Sequence, residues 1–252
     1  MRKVIHSKYL NDEKTLDDFV LNYNNRGEAF GNQDRNSLRL FSLNDEVLNA
    51  KSFRVPNLIN KIAYRFFRKS KAERSYNYAN RLMDLNIGTP HPVAFYEFKS
   101  ALFFGKSYYI SHQIDCDITY RELTFNFNYP DWENILRAFT RFTFQLHENQ
   151  VNFLDHSPGN TLIIVHKDTY KFYLVDLNRM NFEPLSFEDR IKNFAKLTTH
   201  KTMVEIMSNE YAKCIGEDEA KVFKLMWKYT CDFQEKYHRR RRMKKKFKFW
   251  KK

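Results

Sequence analysis

The sequence predicts an α+β protein with two lobes, in which a β-rich first lobe precedes a mainly helical second lobe. Strand-like segments separated by polar turns occur mainly in the first half, whereas apolar residues at helical spacing dominate the second half. The 252 residues include 24 Phe and 15 Tyr, which supply enough apolar area for a sizeable core. We therefore expect one bilobal domain over residues 1–237, with lobes of about 1–113 and 114–237, and a basic aromatic tail over 238–252.

The first lobe is predicted to contain five strands and three helical segments. The strands are expected near Val4–His6, Ser37–Leu43, Glu46–Phe53, Val93–Glu97 and Ser107–Gln113. An amphipathic pattern covers Leu16–Tyr23, and apolar residues recur at helical intervals from Leu58 to Leu85. The second pattern predicts two helices that meet near Lys69–Ser70.

The second lobe is predicted to begin near Gln113–Asp117, where no Pro/Gly/Ser linker is found. Asp131–Asn149 places four large apolar side chains on one stripe, which predicts a long amphipathic helix. A hairpin of Thr161–Val165 and Lys171–Asp176 should follow, with helices from there to the end of the chain.

Several classes of protein are not expected from the composition. The sequence contains no run of eighteen apolar residues, so we expect no transmembrane helix. The first residues lack the apolar stretch of a secretory signal. Cys116, Cys214 and Cys231 are far apart and lack CxxC spacing, so disulfides and a zinc site are not expected. These features favour a cytoplasmic protein.

The net charge of +13 is concentrated at the end of the sequence. Residues 1–238 hold 33 Lys and Arg against 30 Asp and Glu, whereas Arg239–Lys252 holds ten bases and no acid. Phe247, Phe249 and Trp250 lie among these bases. Such a segment suits an anionic membrane surface or nucleic acid, and a solvated tail is the third alternative. We favour the membrane.

The segment from Leu146 to Asp176 carries the chemistry that the sequence predicts. Asp155, Asn160 and Asp176 are expected at turns, and their oxygens suit Mg²⁺. Turn formation alone would explain such residues. However, Asp155 and Asn160 have the D-x-x-x-x-N spacing of the catalytic loop of kinases, and Asp176 follows a hairpin later. This pattern resembles kinase-fold phosphotransferases, in which Asp155 would be the catalytic base and Asn160 and Asp176 the metal ligands.

The remaining parts of an ATP site can be assigned under this kinase hypothesis. Lys51, in the middle of a predicted strand, would hold the α- and β-phosphates of ATP, although a solvated surface lysine is the alternative. Gly27 and Gly31 would form a weak glycine-rich loop. Glu73 is the only acid between Lys61 and Arg81 and would be the partner of Lys51. The backbone of Gln113 and Ile114 would meet adenine.

More specifically, the sequence resembles the Kdo/WaaP lipopolysaccharide kinase family, in the form met in Bacteroidetes. The resemblance is carried by residues 51–82, by IGTPHPVAFYE, GKSYYIS and FLDHSPGNTL, and by YLVDLNRMNF. It implies transfer of the ATP γ-phosphate, with Mg²⁺, to a Kdo or heptose hydroxyl of the lipopolysaccharide core. It also implies a location at the cytoplasmic face of the inner membrane, with no protein partner evident.

The sequence departs from the kinase pattern at three positions. Phe153 and Leu154 replace the His and Arg that usually precede the catalytic Asp, and Asn178 replaces the Gly of D-F-G. We expect Phe153 to pack, and an Asn at position 178 can take the left-handed conformation that Gly would use. The short segment between Asp176 and a helix near Phe187 favours a compact acceptor. A kinase acting on protein or another small molecule is the first alternative, and an inactive RNA- or membrane-binding module is the second.

Overall fold

The computed structural model describes residues 1–31, 36–100, 102–167 and 169–249. Contacts divide the chain into two compact units, Met1–Asp115 with Tyr173–Arg179, and Cys116–Phe172 with Met180–Lys252. The first is a sheet with helices on its faces, and the second is mainly helical. The predicted bilobal α+β, protein-kinase-like fold class is therefore confirmed.

The described part of the first unit contains a six-stranded sheet. Its strands are β1 (Arg2–Ile5), β2 (Glu28–Phe30), β3 (Ser37–Leu43), β4 (Glu46–Phe53), β5 (Pro92–Lys99) and β6 (Phe104–His112). Their order is β1-β5-β6-β4-β3-β2, and all neighbours are antiparallel. Strands β3 and β4 have the predicted bounds. Strand β2 was missed, because its three residues are all exposed and give no alternating pattern.

Helices of the first unit cover both faces of this sheet. They are α1 (Glu13–Leu21), α2 (Leu58–Phe66) and α3 (Lys71–Asp84). Leu16 and Phe19 of α1 join the buried cluster that contains Leu48 and Ala50 of β4. Since side chains alternate along a strand, Lys51 projects from the opposite face of β4.

The second unit is built around a central helix. Its elements are β7 (Ile118–Thr119), α4 (Tyr120–Leu123), α5 (Trp132–Glu148), β8 (Val151–Phe153), β9 (Thr161–His166), β10 (Thr169–Leu174), β11 (Met180–Phe182), α6 (Phe187–Asn193), α7 (Lys201–Ile215) and α8 (Glu219–Phe249). The last two residues of β10 already belong to the first unit. The predicted stripe of α5 is confirmed, because Ile135, Phe139 and Leu146 are fully buried.

The basic segment of the sequence continues helix α8. Arg239–Arg242 are exposed and helical, and the helix extends to Phe249. Trp250 and the two lysines after it, which belong to the predicted tail, lie outside the described residues. No helix in the described part of the chain combines the length and the hydropathy that a membrane span needs.

Candidate functional site

Asp176 lies on a segment whose backbone is fixed by hydrogen bonds within the first unit. The Leu174 N–H donates to Gly88 O at 2.9 Å, and the Thr89 hydroxyl donates to Leu174 O at 3.0 Å. Leu177 is buried on the other side of the aspartate. Asp176 itself has a φ of 58°, a left-handed conformation that is uncommon outside glycine. Residues fixed on both sides therefore set the direction of this carboxylate.

Lys51 and Asp176 form an ion pair within the first unit. The Lys51 ammonium lies 2.6 Å from Asp176 Oδ1, and both side chains are partly exposed. The same ammonium lies over the ring of Phe53, 5.4 Å from its centroid. The structure thus brings together two predicted site residues that are 125 positions apart in the sequence.

Asn178 is the second donor to this carboxylate. Its side-chain amide donates to Asp176 Oδ1 at 2.7 Å, and the residue is buried. Asn178 does not use the left-handed conformation that an asparagine can take, since the positive φ falls on Asp176. The bond to Asp176 requires the Asn178 amide rather than freedom of its backbone.

Glu73 does not pair with Lys51, which corrects the prediction that it is the partner of this lysine. Its two carboxylate oxygens accept from the Arg2 guanidinium, each at 3.0 Å. Arg2 also donates to the buried Glu97 at 3.1 Å. Because β1 pairs with β5, Arg2 lies where Glu73 at the start of α3 can reach it. Glu73 therefore links α3 to β1 through its ion pair with Arg2. Among the described residues, Asp176 is the only carboxylate that pairs with Lys51.

The two predicted glycines differ in their surroundings. Gly27 has a φ of 72°, and a Cβ there would lie 2.7 Å from Leu40 O, so close packing against β3 explains this glycine. Its carbonyl accepts from Arg39 at 2.9 Å. Gly31, with a φ of 64°, lies at the other end of β2, and a Cβ there would meet little. Gly31 is thus the better candidate for close approach to a phosphate.

The predicted adenine segment is partly occupied by internal hydrogen bonds. The Gln113 N–H donates to Val47 O at 2.9 Å, and its side chain bonds both Asn49 and the carbonyl of Ile114. Of the backbone groups expected to meet adenine, the Gln113 carbonyl and the Ile114 N–H have no partner among the described residues. These two groups form an acceptor and donor pair suited to a nucleobase edge.

Asp155 and Asn160 lie together on a loop of the second unit. The Asn160 side-chain amide donates to Asp155 O at 2.8 Å, and the Asn160 N–H donates to Ser157 O at 3.0 Å. Pro158–Asn160 forms a 3-10 turn. The side-chain nitrogen of Asn160 therefore stabilises the loop by its hydrogen bond. The side-chain oxygen of Asn160 accepts no hydrogen bond among the described residues.

Lys196 is a functional candidate that the sequence analysis missed. Its ammonium lies 3.9 Å from Asp155 Oδ1 and donates to Leu154 O at 2.5 Å. Lys196 follows Asp155 by 41 positions and lies in a segment with no recognised motif, so no sequence signal indicated it. A cation at this position can stabilise the Asp155 carboxylate and a nearby phosphate.

A buried network of polar side chains holds the Asp155 loop by hydrogen bonds. Asn193 Oδ1 lies 3.0 Å from His156 Nδ1 and 3.3 Å from His147 Nε2, and the Asn193 amide donates to Phe153 O at 3.0 Å. Burial lowers the pKa of His147 to about 3 and that of His156 to about 4. Phe153 is fully buried, as predicted. Asn193 therefore supplies the polar support of the loop.

Each unit carries a side-chain oxygen of a type that suits a hard cation such as Mg²⁺. Both donors to Asp176 converge on Oδ1, and Oδ2 has no partner among the described residues. The side-chain oxygen of Asn160 is likewise unbonded there. A carboxylate oxygen and an amide oxygen are each, taken separately, hard ligands of the kind that Mg²⁺ takes together with substrate phosphates.

Comparisons with known proteins show similarity at the level of the fold. No protein-family profile matches the chain, and no curated sequence matches it. Among solved structures, "WaaP in complex with acyl carrier protein" is similar with a TM-score of 0.63 and 16% sequence identity. The similarity covers 92% of this chain and 99% of that one. The chain therefore has the fold of WaaP over nearly its whole length.

Proposed function

We propose that this protein is an ATP-dependent kinase that phosphorylates a Kdo or heptose hydroxyl of the lipopolysaccharide inner core. The observation that carries the proposal is the ion pair of Lys51 and Asp176, at 2.6 Å. These two residues were assigned to ATP phosphates and to metal from motif positions alone, and the fold places them in contact. The WaaP fold and the resemblance to Kdo/WaaP kinases support the same assignment.

Each site residue has a defined role in the proposed reaction. Asp155 orients the acceptor hydroxyl and accepts its proton, while Lys51 and the Gly31 turn hold the phosphates. Asn160 and Asp176 would hold Mg²⁺, which neutralises charge on the transferred phosphoryl group. Phosphoryl transfer depends mostly on positioning and electrostatics. The contacts of Asn178 and Asn193 serve this positioning.

A compact acceptor is favoured by the short segment after Asp176. Only ten residues, 177–186, separate this aspartate from α6, and three of them form β11 paired with β8. Little chain is left for a loop that could order a peptide substrate. This supports a sugar acceptor over a protein acceptor, and the resemblance supplies Kdo or heptose as the sugar.

The basic end of α8 is proposed to bind the anionic cytoplasmic face of the inner membrane. Arg239–Arg242 are exposed, and the bases continue beyond them in the sequence. A core sugar linked to lipid A lies at a membrane, so a surface-binding helix would bring the enzyme to its substrate. Nucleic acid is the alternative polyanion.

Two measurements test the proposed function. Mass spectrometry of lipopolysaccharide from cells with and without the gene should show a difference of one phosphate on the inner core. Purified protein should consume ATP with Mg²⁺ when dephosphorylated core lipopolysaccharide is added, and not with lipid A that lacks core sugars. Identical lipopolysaccharide in both strains, together with no ATP consumption, would leave the inactive module as the better hypothesis.

A further inference from the structure

A second candidate site lies in the first unit, in a cavity of about 410 Å³ that neither Lys51 nor Asp176 lines. This volume is in the range of small-molecule sites. The cavity is bounded by the end of β4 and by the starts of α2, α3 and β6. Its main lining residues are Phe53, Arg54, Asn57, Asn60, Tyr64 and Lys71.

The charges that line this cavity are positive. Arg54 and Lys71 are cations, and no Asp or Glu is among the lining residues. Neither the Lys71 ammonium nor the Arg54 guanidinium has a hydrogen bond or an ion pair among the described residues. Lys71 is half-buried, and burial lowers the pKa of its ammonium. The Asp176 carboxylate attracts this ammonium without forming a hydrogen bond or an ion pair with it, and Lys51 repels it. Because the desolvated cation has no direct partner among the described residues, an anion in the cavity would stabilise it.

Two helix N-termini add to this preference for an anion. Asn57 caps the start of α2, and Lys71 is the first residue of α3, whose cap is Ser70. A lysine in the first turn of a helix opposes the helix dipole, whereas an anion there is favoured. Both helices therefore direct positive partial charge towards the region where the two cations already lie.

The remaining lining groups suit a small polar molecule. Asn57 Oδ1 accepts from the Asn60 N–H and side-chain amide, at 3.1 and 2.8 Å. This leaves the Asn57 amide nitrogen and the Asn60 side-chain oxygen without partners among the described residues. The rings of Phe53 and Tyr64 form an apolar wall. Donors, acceptors and an aromatic wall beside two cations are the features that recognise a phosphorylated compound.

We propose that this cavity binds the phosphate group of a small phosphorylated ligand through Arg54 and Lys71, at a site separate from the ATP phosphates. The proposal does not depend on kinase activity, because binding can be measured without turnover. Inorganic phosphate and glucose 1-phosphate serve as probes for the full chain in calorimetric titrations at constant ionic strength. Tighter binding of glucose 1-phosphate indicates an organic ligand, and equal affinity indicates phosphate itself.

The variants provide a matched comparison of charge. Arg54→Gln with Lys71→Met should weaken phosphate binding at least about tenfold, the effect of losing charge-assisted hydrogen bonds. Arg68→Gln with Lys69→Met removes the same charge from exposed neighbours outside the cavity and should change affinity by less than about twofold. Equal weakening in both variants would attribute binding to general surface charge and overturn the proposal.

Two further experiments complete the test: competition by a nucleotide, and a variant that changes Arg54 alone. Saturating Mg²⁺ with a non-hydrolysable ATP analogue should leave phosphate binding in place, whereas displacement would assign Lys71 to the nucleotide and overturn a separate site. If the Lys71 variant fails to fold, Arg54→Gln alone remains informative because that side chain is exposed. It should lower affinity about fivefold, which is less than the full effect of a charged hydrogen bond because the side chain is exposed to solvent, and an unchanged affinity contradicts the proposal.

Discussion

Asn178 and Asp176 are joined by a 2.7 Å hydrogen bond from the buried amide to the carboxylate Oδ1. Lys51 donates to the same oxygen at 2.6 Å. Both donors reach the same oxygen, so Oδ2 has no partner among the described residues, as the proposed role of Asp176 as a metal ligand requires. Asn178, at the position that the sequence analysis matches to the Gly of D-F-G, thus bonds through its side chain, which a glycine could not do.

The first prediction tests this hydrogen bond. Asn178→Ala and Asn178→Gly should both raise the Mg²⁺ concentration for half-maximal turnover and lower kcat/KM about tenfold or more, because a hydrogen bond to a charged group contributes about 1.5–3 kcal/mol. Mg²⁺ titration of turnover is the measurement. Asn181→Ala, at an exposed residue nearby in sequence, is the control. Normal Mg²⁺ dependence in Asn178→Gly would show that the Asn178 amide is not required.

The second prediction concerns the two aspartates. Asp155→Asn should lower the rate of phosphoryl transfer about 10²-fold or more, since general acid–base residues typically contribute 10²–10⁴-fold. Asp176→Asn should also remove most of the rate, because it deletes the charge of the proposed metal ligand. The double variant should be little worse than either single one, because residues that act as a unit are not additive. Asp45→Asn, at an exposed turn, is the control. A rate within a few-fold of wild type for either aspartate variant rules out its assigned role.

The third prediction separates Lys51 from Glu73. Lys51→Met should weaken ATP binding and turnover, because Lys51 is the cation paired with the proposed metal ligand. Glu73→Gln should leave the kinetics close to wild type and lower the free energy of unfolding by about 1 kcal/mol or less, as its partner Arg2 is half exposed. Steady-state kinetics and urea unfolding measure the two effects. A large loss of kcat in Glu73→Gln would mean that Glu73 reaches Lys51 during the reaction.

The fourth prediction follows from the buried histidines. The pKa values of His147 and His156 fall to about 3 and about 4 in the folded protein. Below pH 6.5 the unfolded chain therefore binds more protons, and the free energy of unfolding should decrease as the pH falls towards 4. The slope should be up to about 1.4 kcal/mol per pH unit for each histidine.

Urea unfolding at several pH values measures this dependence. His156→Gln should flatten the slope between pH 4 and pH 6, because its titrating group is gone. His200→Gln, at an exposed position, should leave the slope unchanged. If all three proteins show the same slope, the loss of stability in acid has another origin.

The fifth prediction concerns the basic end of α8. Changing Arg239–Arg242 to glutamine keeps the helix length and should weaken binding to anionic vesicles, as should truncation after His238. Turnover of a short soluble acceptor should be nearly unchanged, since no proposed site residue lies beyond His238. Vesicle binding of the intact protein should also fall as salt rises, because charges are screened within about 10 Å at 0.1 M ionic strength.

Cosedimentation with vesicles measures this binding, and a parallel experiment measures the binding of RNA. Trp250 should shift its emission to the blue on vesicles if its ring enters the interface, and Trp250→Phe is the control for the other tryptophans. Retention of RNA at physiological salt without retention of vesicles would favour the nucleic-acid alternative over the membrane.

The sequence by itself determined the elements whose signal is local. Strands β3 and β4 are short strand-like segments separated by a polar turn, and α5 carries a continuous apolar stripe, so nearby positions were sufficient to predict them. The fold class followed from the order of these elements. The spacing of Asp155 and Asn160 is also local, and it indicated the loop that the structure shows.

Only the tertiary structure decided which side chains meet. Asp and Asn both tolerate a left-handed conformation, so residue types could not tell that Asp176 adopts it and Asn178 does not. The sequence made Glu73 a reasonable partner for Lys51. However, the pairing of β1 with β5 places Arg2 where it binds Glu73 instead. Contacts between residues far apart in sequence depend on strand order and packing, which local patterns do not encode.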